Sequence, residues 1–391
     1  MENFNICQHD EFCGGCIYQG VPYEEQLAVK EAEVKNIFAE KDIHPDIFDG
    51  IEGCSEEHRY RYRNKMEYTF GDFVKDGPIC LGMHKKKNFM SIVTVDHCQL
   101  VDEDFNKILR FSLDFAVEMG YKHYHKKSHT GLLRHLIVRK GIRTGELLVN
   151  IVTSREEGFD EEAYVNGLLE LPLTNNIEGI LRTLNDNIAD KVTCEELKIL
   201  WGKDYYMENI LGLQFKVSAF SFFQTNVEAV ERLYSEALAL VEDFAGKSVF
   251  DLYCGTGTIS QVLALKAKEV LGIELVEEAV EAAKENARLN GLENCNFIAG
   301  DVFEVLKERE EKPDVIVVDP PRVGMNTKAV DKIVSYGVDQ IIYISCNPKT
   351  LAINLQQFIY EGYAVRYVKC FDNFPGTKHT ECICLLERKK R

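Results

Sequence analysis

The sequence contains no stretch of about 18 consecutive apolar residues, the length that a transmembrane helix needs. Its first residues lack the basic stretch and the apolar core of a secretory signal peptide. Low-complexity linkers and internal repeats are also missing. These absences predict a cytoplasmic protein without a membrane partner, and nothing in the sequence indicates an obligate protein partner.

Length and charge narrow the class of protein. With 391 residues, 45% of them hydrophobic and 28% charged, the chain is long enough for two or three globular domains. The net charge of −17 disfavours a protein that wraps nucleic acid without specificity. Basic residues nevertheless cluster in the first part of the chain, at 59–65, 84–87 and 122–143. Three such clusters predict a local surface that faces RNA.

The chain has 13 cysteines, which a cytoplasmic protein normally keeps reduced, so disulfides explain them poorly. Cys7, Cys13 and Cys16 follow a C-x5-C-x2-C pattern, and Cys98 is a candidate fourth member. Four thiolates can hold a 4Fe-4S cluster or a structural zinc ion. The absence of a second closely spaced pair disfavours a zinc ribbon, but the spacing alone leaves both metals open.

The pattern of apolar residues divides the chain into two kinds of region. Helices and strands mix without regular alternation in the middle, whereas strands alternate with helices from Lys247 onward. We therefore predict a central α+β domain from residues 1–17 and 49–216. Residues 18–48 and 217–391 are predicted to form an α/β, Rossmann-like domain with a doubly wound, mostly parallel sheet. The strands predicted in its C-terminal region are 249–253, 269–274, 296–299, 315–319, 340–345, 364–371 and 381–386.

A glycine-rich segment, DLYCGTGT from Asp251 to Thr258, ends one predicted strand and begins a helix. It lacks the Gly-Lys-Ser/Thr end of a triphosphate-binding loop, and its spacing differs from the Gly-x-Gly-x-x-Gly dinucleotide motif. The next strand ends in Glu274, whose carboxylate suits two ribose hydroxyls, and Asp301 follows the third strand. Together with Asp319, this order resembles class I S-adenosylmethionine-dependent methyltransferases.

Two further motifs each follow a predicted buried strand, DPPR at 319–322 and SCNP at 345–348. A cysteine at the carboxyl end of a parallel strand lies where open α/β sheets place their ligands. With FFQ at 222–224 and HTE at 379–381, these motifs resemble the RNA uracil-5-methyltransferases, the family of the ribosomal and transfer RNA 5-methyluridine enzymes. The resemblance covers nearly the whole chain.

The resemblance implies a covalent mechanism with Cys346 as nucleophile and Glu381 as base. Carbon 5 of uracil is a poor nucleophile until a thiolate adds to carbon 6, and a base must later remove the proton from carbon 5. Arg322 is expected to hold the RNA backbone or to position its loop. The cofactor implied is S-adenosyl-L-methionine, and the residues expected to bind it are Gln224, Tyr253, Thr258, Glu274, Asp301 and Asp319.

The resemblance also bears on the metal and the substrate. The ribosomal branch of the family carries the same opening cysteine pattern, which favours a 4Fe-4S cluster on Cys7, Cys13, Cys16 and Cys98 over zinc. It equally implies 23S rRNA as substrate. Many members begin with a small β-barrel RNA-binding domain, for which the residues before Cys7 leave no room, so we expect the central domain to bind the RNA.

Three alternatives remain open at this point. The first is the same reaction on the T-loop uridine of transfer RNA. The second is an iron–sulfur sensor that has kept an inactive methyltransferase fold, and the third is a non-catalytic RNA-binding module. Ready reduction of the cluster without methyl transfer would support the sensor, whereas a binding module would leave Cys346 dispensable.

Overall fold

A computed structural model describes residues 6–188 and 192–389, and we number its elements in chain order. The helices are α1 (Tyr23–Glu40), α2 (Glu103–Glu118), α3 (Glu161–Leu169), α4 (Val227–Ala239), α5 (Thr258–Ala264), α6 (Glu277–Leu289), α7 (Val302–Lys307), α8 (Thr327–Tyr336) and α9 (Pro348–Tyr360). The strands are β1 (Ile47–Glu52), β2 (Lys65–Asp72), β3 (Ile79–Lys85), β4 (Asn88–Thr94), β5 (Leu133–Lys140), β6 (Glu146–Thr153), β7 (Asn176–Leu184), β8 (Glu196–Gly202), β9 (Tyr205–Ile210), β10 (Leu213–Ser218), β11 (Ser248–Leu252), β12 (Glu269–Glu274), β13 (Cys295–Ala299), β14 (Val315–Val318), β15 (Gln340–Ser345), β16 (Tyr363–Phe371) and β17 (Glu381–Arg388). None of the helices in the described ranges combines the length and the hydropathy required to span a lipid bilayer.

The chain divides into two compact units. The first comprises Met1–Gly20, Glu57–Asn209 and Lys216–Ser221. The second comprises Val21–Glu56, Ile210–Phe215 and Phe222–Arg391. The boundary that we predicted between residues 48 and 49 falls inside β1, a strand that belongs wholly to the second unit.

The first unit is built on a seven-stranded sheet in the order β4-β3-β2-β5-β6-β7-β8. Neighbouring strands run antiparallel except β6 and β7, which are parallel and are connected through α3. Phe105 and Leu109 of α2 pack with Tyr68 and Leu136 of the sheet, and all four are excluded from solvent. The sheet and its helices therefore enclose one hydrophobic core.

The second unit contains an eight-stranded sheet in the order β1-β16-β17-β15-β14-β11-β12-β13. All neighbouring strands are parallel except β17, which runs antiparallel to both β15 and β16. Parallel strands and the helices between them form the predicted doubly wound arrangement. Strand β1 was not predicted from sequence, because its residues are at most partly buried and form no apolar run.

Helices α1, α7, α8 and α9 share a core with the sheet of the second unit, in which Phe38, Leu306, Ile333 and Phe358 are buried. Strands β14 and β15 are buried along almost their whole length, as continuous apolar runs of a parallel sheet should be. The carboxyl ends of parallel strands meet at one edge of a sheet. This edge therefore carries the loops that follow β11, β12, β13, β14 and β15.

Candidate active site and cysteine cavity

The loop after β11 bends sharply. Tyr253, Gly255 and Gly257 have positive φ angles of 68°, 55° and 74°, a region that glycine enters without steric cost. A Cβ atom at Gly257 would lie 2.6 Å from the ring of Phe297, so this position has room for glycine alone. The N–H of Tyr253 donates to the carbonyl of Ile273 at the end of β12. The loop thus stays close to the edge of the sheet.

The two acids predicted for the cofactor also brace the loops that carry them. The carboxylate of Glu274 accepts hydrogen bonds from the N–H groups of Gly255 and Val276, each at 3.0 Å. Asp301 caps α7 by accepting the N–H of Phe303 at 2.9 Å. An ionised carboxylate has about four acceptor positions, so each acid can still accept hydrogen bonds from a ligand.

Tyr253 lies beside both acids. Burial, together with the nearby carboxylates of Asp301 and Glu274, raises the pKa of the Tyr253 phenol to about 12. Thr258 is buried at the first position of α5, directly after Gly257. The structure therefore brings four of the six predicted cofactor residues to one loop cluster.

Asp251, the next-to-last residue of β11, is fully buried. One carboxyl oxygen is hydrogen-bonded to the hydroxyl of Ser260 in α5. Within the described part of the chain, the other oxygen has no hydrogen-bond partner. Burial raises the pKa of Asp251 to about 8, so this carboxyl retains its proton at neutral pH. The motif containing Asp251 was recognised from sequence, but this bracing contact was not predicted.

The remaining predicted cofactor residues, Gln224 and Asp319, lie near a tyrosine that the sequence analysis missed. Tyr234 of α4 is buried and hydrogen-bonds with Gln224. Burial holds the pKa of Tyr234 well above its usual value, and the carboxyls of Asp319 and Glu381 raise it further. A tyrosine on an amphipathic helix resembles any core residue in sequence, so no signal distinguished it.

The predicted nucleophile and base lie at the ends of two paired strands. Ser345 at the end of β15 pairs with Cys382 of β17 in an antiparallel ladder. Cys346 follows Ser345 and Glu381 precedes Cys382, and the Glu381 carboxyl lies close enough to act on the Cys346 thiol. Burial raises the pKa of the Cys346 thiol to about 11, and the carboxyls of Glu381 and Asp319 contribute to the increase. These three side chains therefore form one cluster.

Arg322 is the positive charge of this cluster. Its guanidinium hydrogen-bonds with Cys346 and lowers the pKa of the thiol, against the larger effect of burial. Its backbone carbonyl accepts hydrogen bonds from Asn347 Nδ2 at 2.9 Å and from Thr350 Oγ1 at 3.2 Å. The loop after β14 is thereby fixed to the start of α9, beside the nucleophile.

Both carboxyl groups of the cluster titrate near neutral pH. Burial raises the pKa of Asp319 to about 7. Burial also raises the pKa of Glu381 to about 8, where Asp319 adds to the increase and Arg322 opposes it. A carboxyl group with a pKa near the working pH can both take up and release a proton, which is the requirement for acid–base catalysis.

The four cysteines predicted to bind a metal line a single cavity of about 160 Å³ in the first unit. Burial raises the pKa of the Cys13, Cys16 and Cys98 thiols. The neighbouring members of the set, including Cys7, raise these pKa values further, as negative charges in close proximity should. Residues separated by more than 80 positions in the sequence thus meet at one site.

Hydrogen-bond donors point at the sulfurs of this cavity. The N–H of Gly15 lies 3.4 Å from Cys13 Sγ, and the side chain of Gln19 hydrogen-bonds with Cys16. The backbone N–H of Leu100 donates to Cys98. Such donors stabilise thiolates, and hydrogen bonds to sulfur tune iron–sulfur clusters. The cavity therefore fits a group held by thiolates.

The spacing of the sulfurs bears on which group fits. Among side chains in residues 6–188 and 192–389, one group alone has three metal-binding atoms within 4.8 Å of one another, namely His9, Asp96 and His97. A tetrahedral zinc with bonds of about 2.3 Å would hold its sulfurs roughly 3.8 Å apart. His9 Nε2 accepts the N–H of His97 at 3.2 Å, a contact between loops. Among the described residues, no three of the four cysteine sulfurs lie within 4.8 Å of one another, so these cysteines suit a group larger than one ion.

Comparison with known proteins gives consistent matches. The sequence profile of the family described as tRNA (Uracil-5-)-methyltransferase matches residues 174–389. A Caldanaerobacter subterraneus protein described as an uncharacterized RNA methyltransferase is 49% identical over 382 residues, covering 98% of this chain and 84% of that protein. A Clostridium tetani protein with the same description is 47% identical over 381 residues, covering 96% and 82%.

A solved structure also resembles the chain over most of its length. It is the Pyrococcus abyssi tRNA (uracil-54, C5)-methyltransferase in complex with S-adenosyl-L-homocysteine, with a TM-score of 0.78 and 26% identity. The match covers 96% of this chain and 84% of that one. The chain therefore has an α/β fold of the class I methyltransferase type, with mixed sheets.

Proposed function

We propose that this chain, which belongs to the RNA (uracil-5-)-methyltransferase family, forms 5-methyluridine in 23S rRNA through a covalent adduct with Cys346. Family membership makes it an S-adenosylmethionine-dependent enzyme that acts on RNA. The observation that carries the proposed mechanism is the pairing of Ser345 with Cys382, which brings Cys346 and Glu381 into one cluster at the carboxyl edge of the sheet.

The proposed reaction begins when the Cys346 thiol loses its proton to solvent and the thiolate adds to carbon 6 of the uracil. The electron pair of the 5,6 double bond then makes carbon 5 nucleophilic, so that it attacks the methyl group, and the sulfur of the cofactor leaves with the electron pair of its bond to that methyl. Glu381 removes the proton from carbon 5, and the electrons of that bond expel the thiolate and restore the double bond. The target uridine must leave its stack to reach the thiol, which costs least in a loop.

S-adenosylmethionine supplies the methyl group as an electrophilic sulfonium. We assign its adenosine to the loop cluster of Tyr253, Thr258, Glu274 and Asp301, whose hydroxyl and carboxylate groups can pair with a ribose and an adenine edge. Because Asp319 lies in the cluster with Cys346, it is placed to orient the cofactor and the base. Gln224, held by Tyr234, is assigned the same orienting task.

We assign the cavity of Cys7, Cys13, Cys16 and Cys98 to a 4Fe-4S cluster, with zinc as the alternative. The sulfur spacing and the donors aimed at the sulfurs support the larger group. Methyl transfer needs no electron, so the role proposed for the group is structural. It would fasten residues 6–20 to the remainder of the first unit. We assign RNA binding to this unit.

A second candidate substrate is the T-loop uridine of transfer RNA. The solved structure that resembles the chain over most of its length is a transfer RNA (uracil-54, C5)-methyltransferase, and the matching family profile is described in terms of transfer RNA. The four-cysteine cavity supports ribosomal RNA, because the ribosomal branch of the family carries the same opening cysteine pattern. Both substrates therefore enter the test.

The test measures transfer of labelled methyl groups from S-adenosylmethionine to unmodified 23S rRNA and, in parallel, to unmodified transfer RNA. Mass mapping of RNA digests locates the product. The Cys346→Ala variant should lose all activity, whereas Cys194→Ala, a change at an exposed cysteine, should keep it. Cys346-dependent 5-methyluridine in 23S rRNA supports the proposal. Label confined to transfer RNA keeps the mechanism and overturns the substrate.

Metal analysis of the intact protein, purified without oxygen, tests the cysteine assignment. Iron and acid-labile sulfide in near-equal amounts, about four of each per chain, would support the 4Fe-4S cluster. Cys13→Ser should lose both, whereas Cys194→Ser should lose neither. Stoichiometric zinc without sulfide would contradict the assignment.

A further inference from the structure

The tip of the hairpin formed by β3 and β4 has an unusual register. Lys85 pairs with Asn88, but the next pair along the ladder is His84 with Ile92. The three residues 89–91 therefore have no counterpart on β3 and form a bulge. Strand β4 is also the edge of its sheet, where bulges commonly serve a local purpose.

This bulge exposes two large apolar side chains, Phe89 with 78% of its surface accessible and Met90 with 64%. Local contacts hold it in shape. The N–H of Met90 donates to Asn88 Oδ1 at 3.0 Å, and Asn88 Nδ2 donates to Ser91 Oγ at 3.0 Å. The ring of His84 lies edge-on to Phe89, with centroids 6.0 Å apart. Phe89 and Met90 thus form a small exposed apolar patch at the edge of the sheet, a feature that suits an interaction site.

Three consecutive lysines give the same tip a positive charge. The Lys85 ammonium lies over the rings of Phe12 and Phe73, and the Lys86 ammonium bonds to Asp10. Lys87 at the turn is exposed and, as far as the chain is described, forms no ion pair or hydrogen bond. An uncommitted cation therefore lies within two residues of the exposed ring.

We propose that Phe89 and Lys87 form a docking point for unpaired nucleotides of the RNA substrate, with a base stacked on Phe89 and a phosphate bound by Lys87. This inference rests on the proposed action on RNA. Aromatic stacking combined with a nearby cation is the general way in which proteins hold single-stranded nucleic acid. Although the net charge of the chain is −17, the tip of this hairpin is locally positive, and the exposed Lys87 ammonium complements a phosphate of RNA.

The test is filter binding of the intact protein to radiolabelled, unmodified 23S rRNA and transfer RNA over a range of salt concentrations. Phe89→Ala should weaken binding to whichever of the two unmodified RNAs is the substrate for methylation, on the order of tenfold at every salt concentration. Phe89→Tyr should restore it. A plot of the logarithm of the association constant against the logarithm of the salt concentration has a negative slope, and Lys87→Gln should make this slope less steep by about 1. In methylation assays, Phe89→Ala should raise KM and leave kcat unchanged.

Matched controls come from exposed residues of the second unit. Tyr360 has 88% of its surface accessible, and Lys266 is also exposed. Tyr360→Ala and Lys266→Gln should bind RNA like the wild type. All five variants alter exposed side chains, so their melting temperatures should agree with that of the wild type. Equal loss of binding in a control and in its hairpin counterpart would overturn the docking point.

Binding and methyl transfer are measured separately, so the two hypotheses fail separately. If the wild type methylates an RNA, and Phe89→Ala and Lys87→Gln both bind that RNA as tightly as the wild type does, the docking point is overturned and the proposed function stands. If the wild type transfers methyl groups to neither RNA, the proposed function fails. In that case, weakened binding by Phe89→Ala still supports the docking point.

Discussion

The ammonium group of Lys30 lies 2.5 Å from a carboxylate oxygen of Asp372, and both side chains are fully excluded from solvent. Lys30 belongs to α1, whereas Asp372 follows β16 directly. The hydroxyl of Tyr23 donates to the other carboxylate oxygen at 3.0 Å. This buried pair joins the first helix to the segment that leads into Glu381.

Replacing Lys30 with methionine should lower the free energy of unfolding by about 3–5 kcal/mol, because it leaves a buried carboxylate without its partner. Lys30→Met combined with Asp372→Asn should recover at least half of the loss. The exposed pair of Lys35 and Glu31 provides the control, since Lys35→Met should cost less than about 1 kcal/mol. Urea denaturation measures all three variants, and equal losses for Lys30 and Lys35 would contradict this expectation.

Stability without cofactor should fall as the pH rises from about 4 to about 8. The pKa of Asp251 is about 8 in the folded chain, against about 4 for an unfolded aspartate. The folded state therefore binds the proton more tightly, and its advantage disappears as that proton is lost. Asp319 and Glu381, with pKa values of about 7 and about 8, act in the same direction.

Between pH 5 and pH 8, the free energy of unfolding of Asp251→Asn should fall less than that of the wild type, by on the order of 1 kcal/mol or more. Urea denaturation at intervals of one pH unit provides the measurement. Glu361→Gln, a change at an exposed carboxyl, should leave the wild-type slope unchanged. An Asp251→Asn variant with the same slope as the wild type would show that this carboxyl is already ionised at pH 5.

Alkylation of Cys346 by iodoacetamide should be slow at neutral pH and should accelerate about tenfold per pH unit until it levels off near pH 11. Arg322→Gln should slow the reaction several-fold at pH 8, because it removes the cation that lowers the thiol pKa. Arg322→Lys should preserve most of the rate. Mass spectrometry follows the peptide with Cys346, and exposed Cys194 is the internal reference. An unchanged rate in Arg322→Gln would contradict the contact.

Glu381→Gln should reduce turnover by roughly 10²–10⁴-fold, since proton removal from carbon 5 loses its base. Addition of Cys346 does not need this base, so a covalent complex of protein and methylated RNA should accumulate. Denaturing gels with labelled RNA detect it. The double variant Cys346→Ala with Glu381→Gln should form no complex. Rapid turnover by Glu381→Gln would assign the base to another group, with Asp319 as the nearest candidate.

The local pattern of apolar residues was sufficient to predict strands that are buried along their whole length. The apolar runs of β14 and β15 predicted their bounds within one residue, because a strand covered on both faces contains little else. It was insufficient for β1, a half-exposed edge strand whose partner lies more than 300 residues away. It also missed the buried charge of Lys30, since a lysine in a helix normally faces solvent.

The residues of the candidate site also differ in how far the local sequence could locate them. Cys346, Glu274 and Asp301 were located from sequence because each lies at or just after the carboxyl end of a parallel strand, and those ends share one edge. Glu381 was assigned from the family resemblance alone. Nothing in its local sequence indicates that β17 runs antiparallel between β15 and β16, which is what brings it to Cys346.

The inserted position of the first unit has a consequence for synthesis. Lys30 and Asp372 are separated by 342 residues, so a ribosome working at about 5–20 residues per second makes the second roughly 17–70 s after the first. During that interval, α1 and β1 have left the ribosome without the strand and the carboxylate that they pack against. All of the first unit except Met1–Gly20 is encoded between them, and all of the strands of its sheet have been made by then. We therefore expect the sheet of the first unit to form before α1 packs against the C-terminal strands.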